Sequence, residues 1–165
     1  MPKERPTITS AAATPAGWSS ECSAELYGIN TWGAGYFDLS EQGEAQVNVD
    51  FGEHQVAVSI MDIVLGMRAR GLHMPAVLRI RNLLDHRIKL LNESFAQAIE
   101  QGGYQNTYRG VFPIKVNQQC HVIEEIADYG RRYHHGFEAG SKAELIIALS
   151  QLKDHDSLIV CNGYK

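Results

Sequence analysis

Hydrophobic and polar positions change period along the chain, and each change marks a boundary. Residues 1–17, rich in Pro, Thr, Ala and Ser, show no apolar period and read as a disordered tail. Between Trp18 and residue 58 the pattern predicts a short helix and a β-hairpin. The helix is capped at Ser19 or Ser20, carries Glu21 in its first turn, turns Leu26 and Tyr27 inward and stops at Gly28. Asn30–Phe37 crowds aromatic rings between glycines and reads as a tight-turning loop. Tyr36–Leu39 and Ala45–Asp50 alternate with period two on either side of Ser40–Glu44, which predicts the hairpin.

From residue 59 the period lengthens. Ser59 followed by Asp62 is a variant of the capping box, and Ile60, Ile63, Val64 and Met67 share one face of a helix that reaches Arg70 and is stopped by Gly71 and Pro75. A strand, Pro75–Arg81, leads into a long helix from an Asn82 cap to about Gln101. Its buried stripe is Leu84, Ile88, Leu91, Phe95 and Ile99, and Gly102-Gly103 stops it. Then come strand Gly110–Val116, helix His121–Tyr129 with Val122, Ile123 and Ile126 inward, and strand His134–Glu138. Ser141 caps the last helix, to about Leu152, with Glu144 completing its capping box, and Leu158–Cys161 is the last strand.

Strands alternating with helices over short connections predict an α/β fold on a parallel sheet, doubly wound or a barrel. Lys115, Asn117, Glu138, Ser141 and Asn162 fall at or just beyond strand C-terminal ends, where barrel enzymes gather their chemistry. Residues 59–165 are therefore expected to be the first βα units of a TIM-type (β/α)8 barrel. Four strands do not close such a barrel, so the chain is expected to be truncated, with two open sheet edges that leave the isolated segment poorly stable.

Composition narrows the class. Hydrophobic residues make up 44% and charged residues 21% of 165, the balance of a soluble globular domain. The formal charge of -4, with scattered Arg and Lys, gives no electrostatic basis for nucleic-acid binding. Cys22, Cys120 and Cys161 are odd in number and lack paired metal spacing, which fits free thiols in a reducing compartment. The N-terminus has no signal-peptide core and no run reaches membrane-spanning length, so the expected location is the cytoplasm.

One residue stands out chemically. Lys115 sits in the apolar run Phe112, Ile114, Val116, where burial would disfavour its ammonium and leave a nucleophilic amine suited to Schiff-base formation. The alternative is an ammonium that snorkels to water from the strand end. His134-His135 has no third ligand at metal spacing and reads as a pair of surface histidines.

The run Gly110–Gln119, GVFPIKVNQQ, followed by His121-Val122-Ile123-Glu124, closely resembles the cofactor-lysine motif of biosynthetic arginine decarboxylases. Phe137–Leu145 (FEAGSKAEL), Ile159–Lys165 (IVCNGYK) and, upstream, Tyr27–Gly33 with Gly35–Asp38 are similar to the same family in the same order. Cys120 departs from the pattern, standing where a basic residue is expected. The resemblance implies an alanine-racemase-like architecture, a barrel that binds pyridoxal 5'-phosphate (PLP) joined to a β-rich domain to which the first helix and hairpin belong.

It also implies, for a full-length parent, PLP-dependent decarboxylation of L-arginine to agmatine and CO2 in polyamine (putrescine and spermidine) biosynthesis, with magnesium as a further cofactor and a homo-oligomeric assembly. By the same resemblance Lys115 carries the cofactor, and Glu138, Ser141 and Asn162 lie close to it. Glu138 either polarises the Schiff base or is a strand-end carboxylate satisfied by backbone amides. No cluster in the sequence places the metal. The phosphate anchor and the partner of the pyridine nitrogen are expected beyond Lys165, so the segment alone is expected to be inactive. Two rival readings remain. One is a decarboxylase of ornithine, lysine or diaminopimelate, and the other is a non-catalytic PLP-binding protein.

Overall fold

The computed structural model describes residues 17–51 and 54–163. The expected tail, residues 1–16, and the closing Tyr164-Lys165 lie outside them. The chain divides into two compact units, residues 1–76 and 77–165.

In the first unit, helix α1 (Ser20–Leu26) begins where Ser19 Oγ accepts the Cys22 N–H at 3.2 Å. Leu26 and Tyr27, expected inward, are 78% and 70% exposed. A seven-residue helix has room for little buried surface, and here the packing is supplied by Trp18, whose indole lies over Gly43. The expected loop after Gly28 is instead a single helical turn, α2 (Ile29–Trp32), with Ile29 buried. The expected hairpin is present as β1 (Phe37–Leu39) and β2 (Ala45–Phe51), antiparallel with Phe37 opposite Val47. A third strand that the pattern did not predict, β3 (His54–Ser59), extends it to a meander. His54 to Ala57 are all exposed, so no buried alternation announces the strand. Helix α3 (Ile60–Ala69) packs on β2 and β3, and Ser59 Oγ accepts the Asp62 N–H as its sequence predicts.

The second unit opens with a correction. Of Pro75–Arg81, expected as a strand, residues 75–80 are not paired into either sheet and Arg81 already belongs to a helix. Ile80 has extended backbone (φ -111°, ψ 102°) and caps helix α4 (Arg81–Gly102), which therefore starts before Asn82. A strand is defined by its ladder partner, and the described residues offer this segment none. The stripe of α4 is also narrower than expected. Leu84 and Ile88 reach the core, whereas Leu91 and Phe95 are 43% and 44% exposed, and the Phe95 ring stacks on Tyr108 at 4.0 Å. Gly103, at φ 62°, ends the helix in the left-handed conformation that glycine adopts without steric cost.

Beyond α4 the order is β4 (Val111–Pro113), α5 (Cys120–Gly130), β5 (Gly136–Ala139), α6 (Lys142–Gln151) and β6 (Ile159–Cys161). The three strands are parallel, in the order β4-β5-β6. Their register sets Phe112, Phe137 and Ile159 level with one another. These three meet Ile88, Ile114, Ile123, Ile126, Ala127 and Ala148 in one core beneath the helices. Phe137 and Ile114 are fully buried.

Gly136 is where β5 and β6 come closest: a Cβ there would stand 1.9 Å from the Leu158 carbonyl oxygen, inside the contact that holds the strands together. Gly136→Ala is expected to lower stability by about 3 kcal/mol or to prevent folding of this unit. Gly66→Ala on α3, where the added methyl meets nothing within 4 Å, should be neutral or stabilise by up to about 1 kcal/mol. Urea unfolding midpoints of the two variants check both.

Candidate active site

Parallel strands share one polarity, so the C-terminal ends of β4, β5 and β6 form one rim. The sheet was expected to carry Lys115 at the end of a strand running Gly110–Val116. Instead β4 ends at Pro113, which has no N–H to give to a ladder, and Ile114–Val116 curl into a 3-10 turn closed by Asn117 N–H to the Ile114 carbonyl at 3.2 Å. Ile114 turns into the core, whereas Lys115 and Val116 turn out and are exposed. The burial expected of Lys115 is thus absent; its amine stands free on the rim. Asn117 follows, with its Oδ1 accepting the Gln119 N–H at 3.1 Å.

Glu138 is the complement of that lysine. In register it is level with Pro113 and Val160, one residue past the row Phe112, Phe137, Ile159. Side chains alternate between sheet faces, so Glu138 points to the face turned away from the helices. It is 8% exposed, and neither carboxylate oxygen has a hydrogen-bond partner. The reading in which backbone amides satisfy this carboxylate does not hold. Leaving each such acceptor without a donor costs about 1–3 kcal/mol, an arrangement that makes sense where a further group supplies the donor.

The loop after β5 is held from within its own helix. Ser141 Oγ accepts the Glu144 N–H at 3.2 Å and donates to Glu144 Oε1 at 3.1 Å, and Glu144 Oε2 accepts the Gly140 N–H at 2.8 Å. Ser141 and Glu144 therefore do the capping that the sequence indicates. Asn162 lies just past β6, its N–H bonded to the Ala139 carbonyl at 3.0 Å, and its side chain is exposed. Lys115, Glu138, Ser141 and Asn162 thus all stand at the same end of the sheet. Cys120 opens α5, exposed, its Sγ 3.2 Å from Glu124 Oε1, which raises its thiol pKa. All three cysteines are free.

Sequence reading missed a further buried polar group. Glu125, on α5, is buried and ion-paired with Arg81 at the start of α4. It borders two clefts of about 440 and 350 Å³, both lined by Arg79, Arg81 and His121 as well. The signal was available: Glu125 lies three residues after Val122 and directly before Ile126, on the inward face of its helix.

The opposite rim carries the histidines. His135 is not a surface residue; it is 5% exposed, wedged between Gly110 and Gly130, and its Nδ1 has no partner. His134 does find further ligand-type groups, Asp154 at 2.8 Å and Asp156 at 3.9 Å from its Nδ1. Asp154 already accepts from Ser157 Oγ at 2.8 Å and from the Asp156 N–H at 3.2 Å. This grouping is at the far end from Lys115 and brings a nitrogen donor. It does not fit the oxygen-rich octahedron that magnesium demands, and it is the one grouping with metal-ligand spacing among the described residues.

Burial pushes the His135 imidazole below its usual range. A depressed histidine contributes stability that is present above the unfolded value, near 6.5, and is lost as pH falls toward the folded value. Acidification below about 6.5 is therefore expected to destabilise the second unit, and His135→Gln should flatten that response, as read by unfolding midpoints between pH 7.5 and 5.

Comparison with known proteins places this rim in context. No family model matches the chain. It is 44% identical over 148 residues to the biosynthetic arginine decarboxylase of Synechococcus sp. (strain RCC307), and 45% identical over 148 residues to that of Gloeobacter violaceus. Each alignment covers 90% of this chain and 23% of the relative. Among solved structures, the crystal structure of the biosynthetic arginine decarboxylase SpeA from Campylobacter jejuni matches with a TM-score of 0.74 at 32% identity, over 84% of this chain and 23% of that one. The chain spans about a quarter of the length of the curated relatives it matches.

Proposed function

Because the chain is homologous over nine tenths of its length to a part of biosynthetic arginine decarboxylases, we propose that it supplies the cofactor-lysine rim of a PLP-dependent enzyme that decarboxylates L-arginine to agmatine and CO2. The observation that carries this reading is the pairing of an exposed lysine amine with a buried, unpartnered carboxylate on one strand rim. On this proposal β4, β5 and β6 are successive strands of a TIM-type barrel, the product serves polyamine synthesis, and the assembly is a soluble cytoplasmic homo-oligomer. Among the described residues no helix is long and apolar enough to cross a membrane.

Lys115 would hold the cofactor covalently through its amine, and Glu138 would meet the cofactor's polar groups with its two free acceptors. PLP, when bound, supplies the electron sink that accepts the pair left on the substrate Cα as CO2 departs. The residues of this segment do the rest of what is asked of them. The 3-10 turn presents the amine clear of the sheet, exposed to a bound cofactor and substrate. Glu138, fixed by β5 on a buried face, holds negative charge that favours a cationic nitrogen beside it. Glu144 fixes Gly140 and Ser141, and so the path of the loop beside Glu138. For magnesium the described residues offer no matching oxygen site, and no role is assigned to it.

The test uses the whole native polypeptide. Borohydride reduction with PLP bound, followed by peptide mapping, should place a pyridoxyl label on Lys115, and a label on another lysine overturns the assignment. Lys115→Ala should reduce agmatine formation to background. Glu138→Gln should lower kcat by about 10²-fold or more. Release of putrescine or cadaverine in place of agmatine would instead favour a decarboxylase of ornithine or lysine.

A further inference from the structure

The rim where the strands begin carries a cleft of about 330 Å³ with three walls, all within the second unit. One wall is a face of α4, on which Asn92, Ala96, Ile99 and Glu100 recur at helical spacing. The second is the approach to β4, with Tyr108 and Arg109. The third is the turn that joins α5 to β5, with Arg132, Tyr133 and His134. Lys115 and Glu138 do not border it.

The charge of the cleft is lopsided. Arg109 is half-buried, and among the described residues no acid or carbonyl pairs with its guanidinium. Arg132 stands over the Tyr129 ring, 3.9 Å from the centroid, which holds a second guanidinium at the cleft. His134 meets Asp154 through Nδ1 at 2.8 Å, so that acid is already engaged and Nε2 is the ring nitrogen left over. Among the described residues that line the cleft, Glu100 is the sole acid. Ile99 and Tyr108, whose ring stacks on Phe95 with centroids 4.0 Å apart, add apolar and flat surface.

We propose that this cleft binds a small organic anion, a phosphate-type head group on a flat apolar body. A half-buried cation without a counter-charge is costly, and an oxyanion in a cleft that two guanidinium groups border offsets that cost through charge-assisted, forked hydrogen bonds. The volume lies at the lower end of the range for small-molecule sites, which suits one ring and its head group. Ile99 and Tyr108 give the ring its contact. The cleft lies at the other end of the sheet from Lys115, so its ligand is independent of which amino acid the enzyme decarboxylates.

The probe is phenyl phosphate, titrated calorimetrically into the whole native polypeptide with PLP bound. Saturable binding is expected, at least about tenfold weaker in Arg109→Ala. In Glu100→Gln, which removes the opposing charge, binding should be about twofold or more tighter. That variant tests the site by a gain, which a folding defect does not mimic, and urea midpoints show whether Arg109→Ala is folded. Inorganic phosphate, which lacks the ring, should bind more weakly than phenyl phosphate. No saturable binding to the wild type, an affinity unchanged in folded Arg109→Ala, weaker binding in Glu100→Gln, or inorganic phosphate binding as tightly as phenyl phosphate each overturns the proposal.

Discussion

The second unit depends on the register of three short parallel strands. Because Phe112, Phe137 and Ile159 are level, a single row of large apolar side chains faces the helices and closes the core with Ile123 and Ile126. The next row is then compelled to face the other way, and it contains Glu138. One register choice thus decides both what is buried for stability and which carboxylate is left to meet something else. A slip of one residue would exchange the two rows, putting a carboxylate among isoleucines and a phenylalanine on the face that now carries Glu138.

Much of this was legible in the sequence because its signals are local. Ser59 with Asp62 and Ser141 with Glu144 announce helix starts through hydrogen bonds made within one turn, and both form. The period of α5 gives Ile123 and Ile126 as core residues correctly. The misses share a different cause, since each depends on contacts made far away along the chain. Residues 75–80, most of the expected strand, have a strand's composition but no ladder partner among the described residues. Leu91 and Phe95 continue the stripe of α4 yet stay half-exposed, so an apolar pattern overstates what the described residues cover.

The candidate site divides along the same line. That Lys115, Glu138, Ser141 and Asn162 lie at strand ends follows from the βα rhythm alone. That Lys115 is exposed does not, because it depends on Pro113 ending the ladder three residues earlier than the apolar run suggests. The orphaned state of Glu138 is likewise invisible to pattern, which sees a carboxylate and cannot count donors. Glu125 falls at an inward position of α5, which its period shows, but the guanidinium that meets it comes from another helix. Only the packing of α4 on α5 brings Arg81 and Glu125 together.

Pro113 carries a consequence for motion. A residue inside a ladder is tied to the strands on either side, whereas the turn Ile114–Val116 closes locally, with Asn117 N–H on the Ile114 carbonyl at 3.2 Å. Ile114, fully buried, pins the base of that turn to the core. The amine next to it is therefore mounted like an arm on a fixed pivot, able to swing through several positions while the sheet stays still. Its reach is set by the lysine's four carbons and not by deformation of the strands, so the amine can change place without disturbing the fold that presents it.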